Sequence, residues 1–152
     1  MISTWLVSSG LVLSLTLAAA EPGIRTRFAG GTVPGVSSKS KARLDLTGSD
    51  TLVVRDGKTD LRIEYRKINT IEYGQNVSRR YAAAILISPL LLLSKSRKHF
   101  VTLGYMDQDG KQQAIVFRFD KGDIRSVLAG LEARTGRRVE YQDDEARKSG
   151  KG

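Results

Sequence analysis

Hydrophobic and polar residues alternate one by one along much of the chain between residues 42 and 119. The alternation is clearest in DLRIEYR, where Leu61, Ile63 and Tyr65 fall on one side and charged residues on the other. A period of two is typical of a β-strand with one buried face. The other segments with this pattern are 43–46, 51–55, 68–74, 99–106 and 112–119, with a last short candidate in 137–141. The pattern predicts six or seven antiparallel strands.

The period changes after residue 119, where apolar residues recur at the spacing of one helix face. The stripe consists of Ile124, Val127, Leu128 and Leu131. Such a stripe predicts one amphipathic C-terminal helix, which Asp120 or Asp123 can begin and Gly136 can end. We expect this helix to cover the apolar face of the sheet, with one core that contains Leu61, Ile63, Tyr65, Val101, Leu103, Ile115, Phe117, Leu128 and Leu131.

Amino-acid composition distinguishes the two terminal segments from the folded domain. Residues 21–41 are rich in Gly, Ser and Lys, which predicts a flexible segment with at most one short strand. Residues 142–152 are polar, and we expect a disordered tail there. The folded domain is therefore predicted over 42–141, with an apolar helical insertion at 77–98 before the last hairpin.

This order of elements resembles the pleckstrin-homology-like barrel, in which two bent antiparallel sheets are capped by a C-terminal helix. The segment IEYRKINTIEYG carries the resemblance, which implies a mainly β (α+β) fold and a binding module. The resemblance does not imply phosphoinositide contacts, because the first interstrand loop, TGSD, is short and acidic.

The stretch from Ile24 to Tyr141 also resembles an uncharacterised family of exported bacterial proteins. The motifs that carry this resemblance are AGGTVPG, EYGQNVSRR, KSRKHFVTLGY and LEARTGRRVEY. The family implies export but no activity.

The insertion contains a run from Tyr81 to Leu93 that is apolar except for Ser88 and Pro89. As a helix this run spans roughly 20 Å, against about 30 Å of bilayer hydrocarbon, so it is too short to cross a membrane once. Serine is a good N-cap and proline is favoured at the first helical position. We therefore predict two short helical pieces, 77–87 and 89–98, broken at Ser88.

Basic residues flank both ends of this run, and acids are absent from the sequence between Tyr73 and Tyr105. An apolar hairpin with basic ends is suited to an anionic bilayer surface. The predicted membrane-binding residues are Arg79, Arg80, Tyr81, Ile85, Leu86, Ile87, Leu90, Leu91, Leu92, Leu93, Lys95, Arg97 and Lys98. Two alternatives stay open: packing on the sheet face opposite the C-terminal helix, and burial in a contact with a protein partner or a second copy of the chain.

The net charge and the residue content limit the functions that the chain can have. Lys and Arg number 25 against 16 acids, a formal charge of +9, which suits an anionic partner. The chain has no Cys and a single histidine, His99, so we expect no metal site, no cofactor and no enzymatic activity. For His99 we expect a structural or headgroup-facing role. Asp107 and Asp109 lack the distal glutamate of a calcium loop and predict a hairpin turn.

The first twenty residues contain no charged side chain and end in Ala18-Ala19-Ala20, the small-residue pattern of a signal-peptide cleavage site. We expect cleavage before Glu21, with an uncleaved anchor as the alternative. Export to the periplasm or the membrane periphery disfavours nucleic acid as the anionic partner. The sequence predicts a membrane-peripheral binding module or, as the alternative, a periplasmic protein-interaction or oligomerisation domain.

Overall fold

A computed structural model describes residues 22–34, 40–58, 60–77 and 98–151. These residues form eight strands, two α-helices and a single 3-10 turn, Tyr65–Lys67. The strands are β1 (Ile24–Gly31), β2 (Lys41–Asp45), β3 (Thr51–Arg55), β4 (Asp60–Glu64), β5 (Ile68–Gly74), β6 (His99–Met106), β7 (Gln112–Phe119) and β8 (Glu140–Tyr141), and the helices are α1 (Ile124–Thr135) and α2 (Asp144–Lys151).

The strands form one sheet in the order β4-β3-β2-β1-β7-β6-β5-β8. The mainly β, α+β prediction is confirmed, but the prediction of six or seven antiparallel strands in a bent-sheet barrel is wrong. Within the described residues the sheet is open, with β4 and β8 at its edges, and β8 lies parallel to β5. The parallel pairing arises because α1 returns the chain across the sheet before β8 begins, which a direct hairpin cannot do.

Strand β1 corrects the predicted domain boundary. It falls inside residues 21–41, which the composition predicted to be flexible, yet it occupies the middle of the sheet between β2 and β7. Its residues Ile24, Thr26 and Phe28 alternate with Arg25 and Arg27, so the period of two is present. The surrounding glycines and serines obscured that period.

One face of the sheet, the inner face, packs against α1. The helix buries the predicted stripe of Ile124, Val127, Leu128 and Leu131, and Gly136 ends it in the left-handed conformation with φ of 67°. All nine predicted core residues belong to the same hydrophobic core, with Leu61 only partly buried. The predicted role of α1 as the cover of the sheet is therefore confirmed.

Residues 144–151 form α2 in place of the predicted disordered tail. A carboxylate oxygen of Asp143 accepts a hydrogen bond from the backbone N–H of Ala146 at 2.7 Å, and Ala146 is fully buried. Gly150 lies so close to the Tyr141 ring that a Cβ there would be 2.6 Å from it. Because small residues make these contacts, the sequence showed no apolar stripe.

One local prediction on the strands is confirmed. The turn between β6 and β7 is a plain hairpin turn, in which the Asp107 carboxylate accepts hydrogen bonds from the Lys111 backbone and from Gln113, both at 2.8 Å. The strand pattern is less regular at one point, because the register of β5 against β6 shifts between Ile68 and Thr70, as at a β-bulge.

Candidate anion-binding face

Most of the predicted membrane-binding residues lie outside the described residues, in the segment 78–97, and Lys98 alone is described. The structure does describe the residues on either side of this segment, Val77 after β5 and Lys98 before β6, and we call these two residues the insertion root. Gly74 and Phe100 are paired across these two antiparallel strands, so the segment leaves and re-enters the fold at the same end of the sheet.

The outer face, opposite α1, carries two rows of cations on β3, β2, β1 and β7. In the first row Lys41, Arg27 and Arg118 lie directly opposite one another. The second row runs through Arg55, Arg43 and Arg25. We call these six residues the cationic rows.

Like charges directly opposite one another on neighbouring strands destabilise a sheet, so the cationic rows need an explanation. Part of the repulsion is relieved at one end, where Arg55 donates to the Asp45 carboxylate at 2.9 Å and lies 3.8 Å from Asp60. Hydrogen bonds from Thr47, followed by the one from Arg55, lower the pKa of Asp45 to about 2. Arg43 donates to the backbone carbonyl of Gly23 at 3.2 Å.

The cationic rows line a concavity of about 590 Å³. Among the described residues, two carboxylates, those of Asp56 and Asp120, line it together with the six cations. Arg25, Arg27 and Lys41 are exposed to solvent. An excess of positive charge in a concave surface raises the local concentration of anions, so this face can attract an anionic partner.

The first cationic row continues to the insertion root. Arg118 lies opposite Phe100, which in turn lies opposite Gly74. At roughly 4.8 Å between neighbouring strands, Lys41 is about 14 Å from Phe100 across the sheet. Phe100 belongs to a small apolar cluster of the outer face, and the members of this outer apolar cluster are Ala29, Phe100, Ala114 and Val116, with Val77 packed against them.

A second concavity, of about 450 Å³, lies beside the insertion root, and we call it the root pocket. Its described lining residues are Gln75, Lys98, His99, Arg118, Phe119, Asp120, Lys121 and Ser149. Arg118 and Asp120 also line the first concavity. The two concavities therefore form one basic surface that reaches from β3 to the ends of the insertion.

His99 has a defined structural partner in the root pocket. Its Nδ1 lies 2.6 Å from the Tyr73 hydroxyl, and the two rings are stacked with an interplanar angle of 4°. Burial lowers the pKa of His99, the nearby Lys121 lowers it further, and Asp120 acts in the opposite direction. The neutral imidazole is therefore favoured.

The cationic rows are a feature that the sequence alone does not predict as a site. The alternation in IRTRF and KARLD indicates which side chains share a face within one strand. It does not indicate that β7, which is about ninety residues further along the chain, lies beside β1.

Comparison with models of protein families gives no match, and no curated protein sequence or solved structure matches significantly. In the part of the chain that the structure describes, none of the helices is both long enough and apolar enough to span a bilayer.

Proposed function

We propose that this chain is an exported, non-enzymatic binding module that sits on the surface of an anionic membrane. The apolar run of the insertion enters the bilayer, and its basic flanks together with the cationic rows contact the headgroups. The proposal includes export through the signal-peptide pattern of residues 1–20, and a location in the periplasm or at the membrane periphery. The observation that carries it is the first cationic row, which ends beside the insertion root on the same face of the sheet.

The apolar run and the cationic rows contribute differently to the free energy of membrane binding. Each large apolar side chain that becomes fully buried contributes roughly 1.5–3 kcal/mol. Each cation close to an anionic surface adds about 1 kcal/mol, and salt screens that contribution. The apolar run therefore supplies most of the affinity, and the cationic rows supply the preference for anionic lipid and the orientation of the sheet.

Rigidity supports a role of the cationic rows in orientation. The cations lie on four neighbouring strands, and the inner face of the same sheet is fixed by the core around α1. A rigid set of charges loses less conformational entropy on binding than the same charges on a flexible tail. The pairing of Gly74 with Phe100 fixes the strand ends next to the insertion root relative to the rows.

Sedimentation with vesicles tests the proposal on protein purified from an exporting host, with its N-terminus established by intact mass. We expect binding to vesicles that contain anionic lipid and weaker binding to neutral vesicles. Replacing Arg25, Arg27 and Lys41 by Gln should lower the partition coefficient on anionic vesicles about 10- to 100-fold at low salt. A matched control replaces three exposed cations away from the rows, Lys111, Arg137 and Arg138, and should change binding much less.

A double variant distinguishes the three interpretations of the apolar run. Leu91→Asp combined with Leu92→Asp should abolish vesicle binding and leave the thermal midpoint nearly unchanged. An unfolded variant would instead indicate packing of the run on the sheet. A folded variant that loses only self-association would support the oligomerisation domain, and equal losses for the two triple Gln variants would refute the role of the cationic rows.

A further inference from the structure

The root pocket has the donors that a compact dianion requires. Lys98 reaches it from the position directly before β6, Arg118 reaches it from β7, and Lys121 follows β7. Ser149 of α2 also lines the pocket, and its hydroxyl hydrogen-bonds to the Tyr73 hydroxyl. Asp120 is the one carboxylate among the described lining residues, so positive charge exceeds negative charge in the pocket.

His99 adds a directional donor to this set. Because its Nδ1 is engaged by the Tyr73 hydroxyl, Nε2 is the nitrogen that remains for a ligand in the pocket. When the Tyr73 hydroxyl donates to Nδ1, Nε2 carries the proton of the neutral ring and can donate it. The parallel stacking of the two rings holds the imidazole in place.

We propose that the root pocket binds the phosphoryl group of a phosphate monoester. Lys98, Arg118 and Lys121 supply charge, and His99 supplies a directed hydrogen bond. At neutral pH a phosphate monoester carries between about one and a half and two negative charges and has three strong acceptor oxygens, which match this combination better than a monoanionic phosphodiester does. The inference rests on the proposed function when the phosphoryl group belongs to a lipid headgroup, and a soluble phosphate is the other source.

The single histidine makes the test direct, since the imidazole of His99 gives one resolved set of NMR signals. We expect inorganic phosphate to shift these signals saturably and to raise the pKa of His99, because a bound anion favours the imidazolium. Sodium chloride at matched ionic strength should give neither effect. Absence of a saturable phosphate shift would overturn the proposal.

Two substitutions that change the charge of the root pocket should change its phosphate affinity in opposite directions. Lys121→Gln should weaken phosphate binding about tenfold, as expected for one lost charge-assisted contact, and should raise the pKa of His99 in the free protein. Asp120→Asn should strengthen phosphate binding and lower that pKa. Lys111→Gln, a control at the far end of β7, should change neither quantity. Phosphate affinity that is unchanged in both pocket variants would refute the assignment.

Vesicles distinguish the two sources of the phosphoryl group. Stronger binding to phosphatidic acid than to phosphatidylglycerol at equal surface charge, lost in Lys121→Gln, would support a lipid source. Phosphate binding without any vesicle binding would refute the proposed membrane function and support a soluble phosphate in the pocket. A third outcome is that Lys121→Gln leaves vesicle binding unchanged and inorganic phosphate does not shift the His99 signals. This outcome would refute phosphate binding in the root pocket but not the proposed membrane function.

Discussion

Replacing Arg27 by Gln should make the fold more stable and the membrane contact weaker. Arg27 is exposed and lies between two cations on the neighbouring strands, Lys41 and Arg118. If the charged ends are about 7 Å apart in water, each pair repels by roughly 0.6 kcal/mol before screening. The two pairs together therefore destabilise the sheet by about 1 kcal/mol at low ionic strength.

The predicted stabilisation by Arg27→Gln depends on the salt concentration. The Debye length falls from about 30 Å at 0.01 M salt to about 8 Å at 0.15 M. The stabilisation by Arg27→Gln should therefore decrease from about 1 kcal/mol to about 0.5 kcal/mol over this range. In a thermal melt the gain at low salt corresponds to roughly 3 °C for a protein of this size.

Thermal or urea unfolding of Arg27→Gln and the unmodified protein at the two salt concentrations provides the assay. Arg137→Gln is the control, because Arg137 is exposed outside the cationic rows. Its effect should stay within about 0.5 kcal/mol at both concentrations. A destabilised Arg27→Gln protein, or a gain that does not decrease with salt, would show that the rows are not a site of repulsion. An anionic partner would then not be needed to explain the cationic rows.

Two further predictions concern the fold itself. Leu128→Ala should lower the free energy of unfolding by about 2–5 kcal/mol, because Leu128 is buried between α1 and the sheet, and a loss below about 0.5 kcal/mol in urea unfolding would show that α1 does not cover the sheet. The folded-state pKa of Asp45 is about 2, below the usual value of 3.8, so its contribution of about 2 kcal/mol is complete above pH 5 and is lost as the pH falls toward 2. Unfolding measured across this pH range should show that loss, and Asp45→Asn should remove that part of the pH dependence; an unchanged acid transition would contradict the assignment.

The elements that the sequence predicted well are those specified by neighbouring residues. The stripe on α1 has the helical period, and Gly136 provides a local stop. The hairpin of β6 and β7 likewise needs only its own alternation and the turn around Asp107 and Gly110. Such signals lie within a few residues of the structure that they specify.

The features that the sequence did not predict depend on distant partners. Strand β1 is stabilised by β2 and by β7, and its position between them follows from the order of the whole sheet. Arg27 and Arg118 become neighbours only through that order. Helix α2 depends on the burial of Ala146 and on the fit of Gly150 against the rings of Tyr141 and Tyr73, and residues this small give only a weak hydrophobic signal in the sequence.

The position of the insertion has a physical reason. It joins two strands whose pairing already fixes its ends, so a long connection adds little entropic cost to closing the hairpin. The core of the inner face is built by the sheet and α1, on the side away from the cationic rows. In the proposed function the sheet therefore separates two surfaces, with the outer face toward the bilayer and α1 toward solvent.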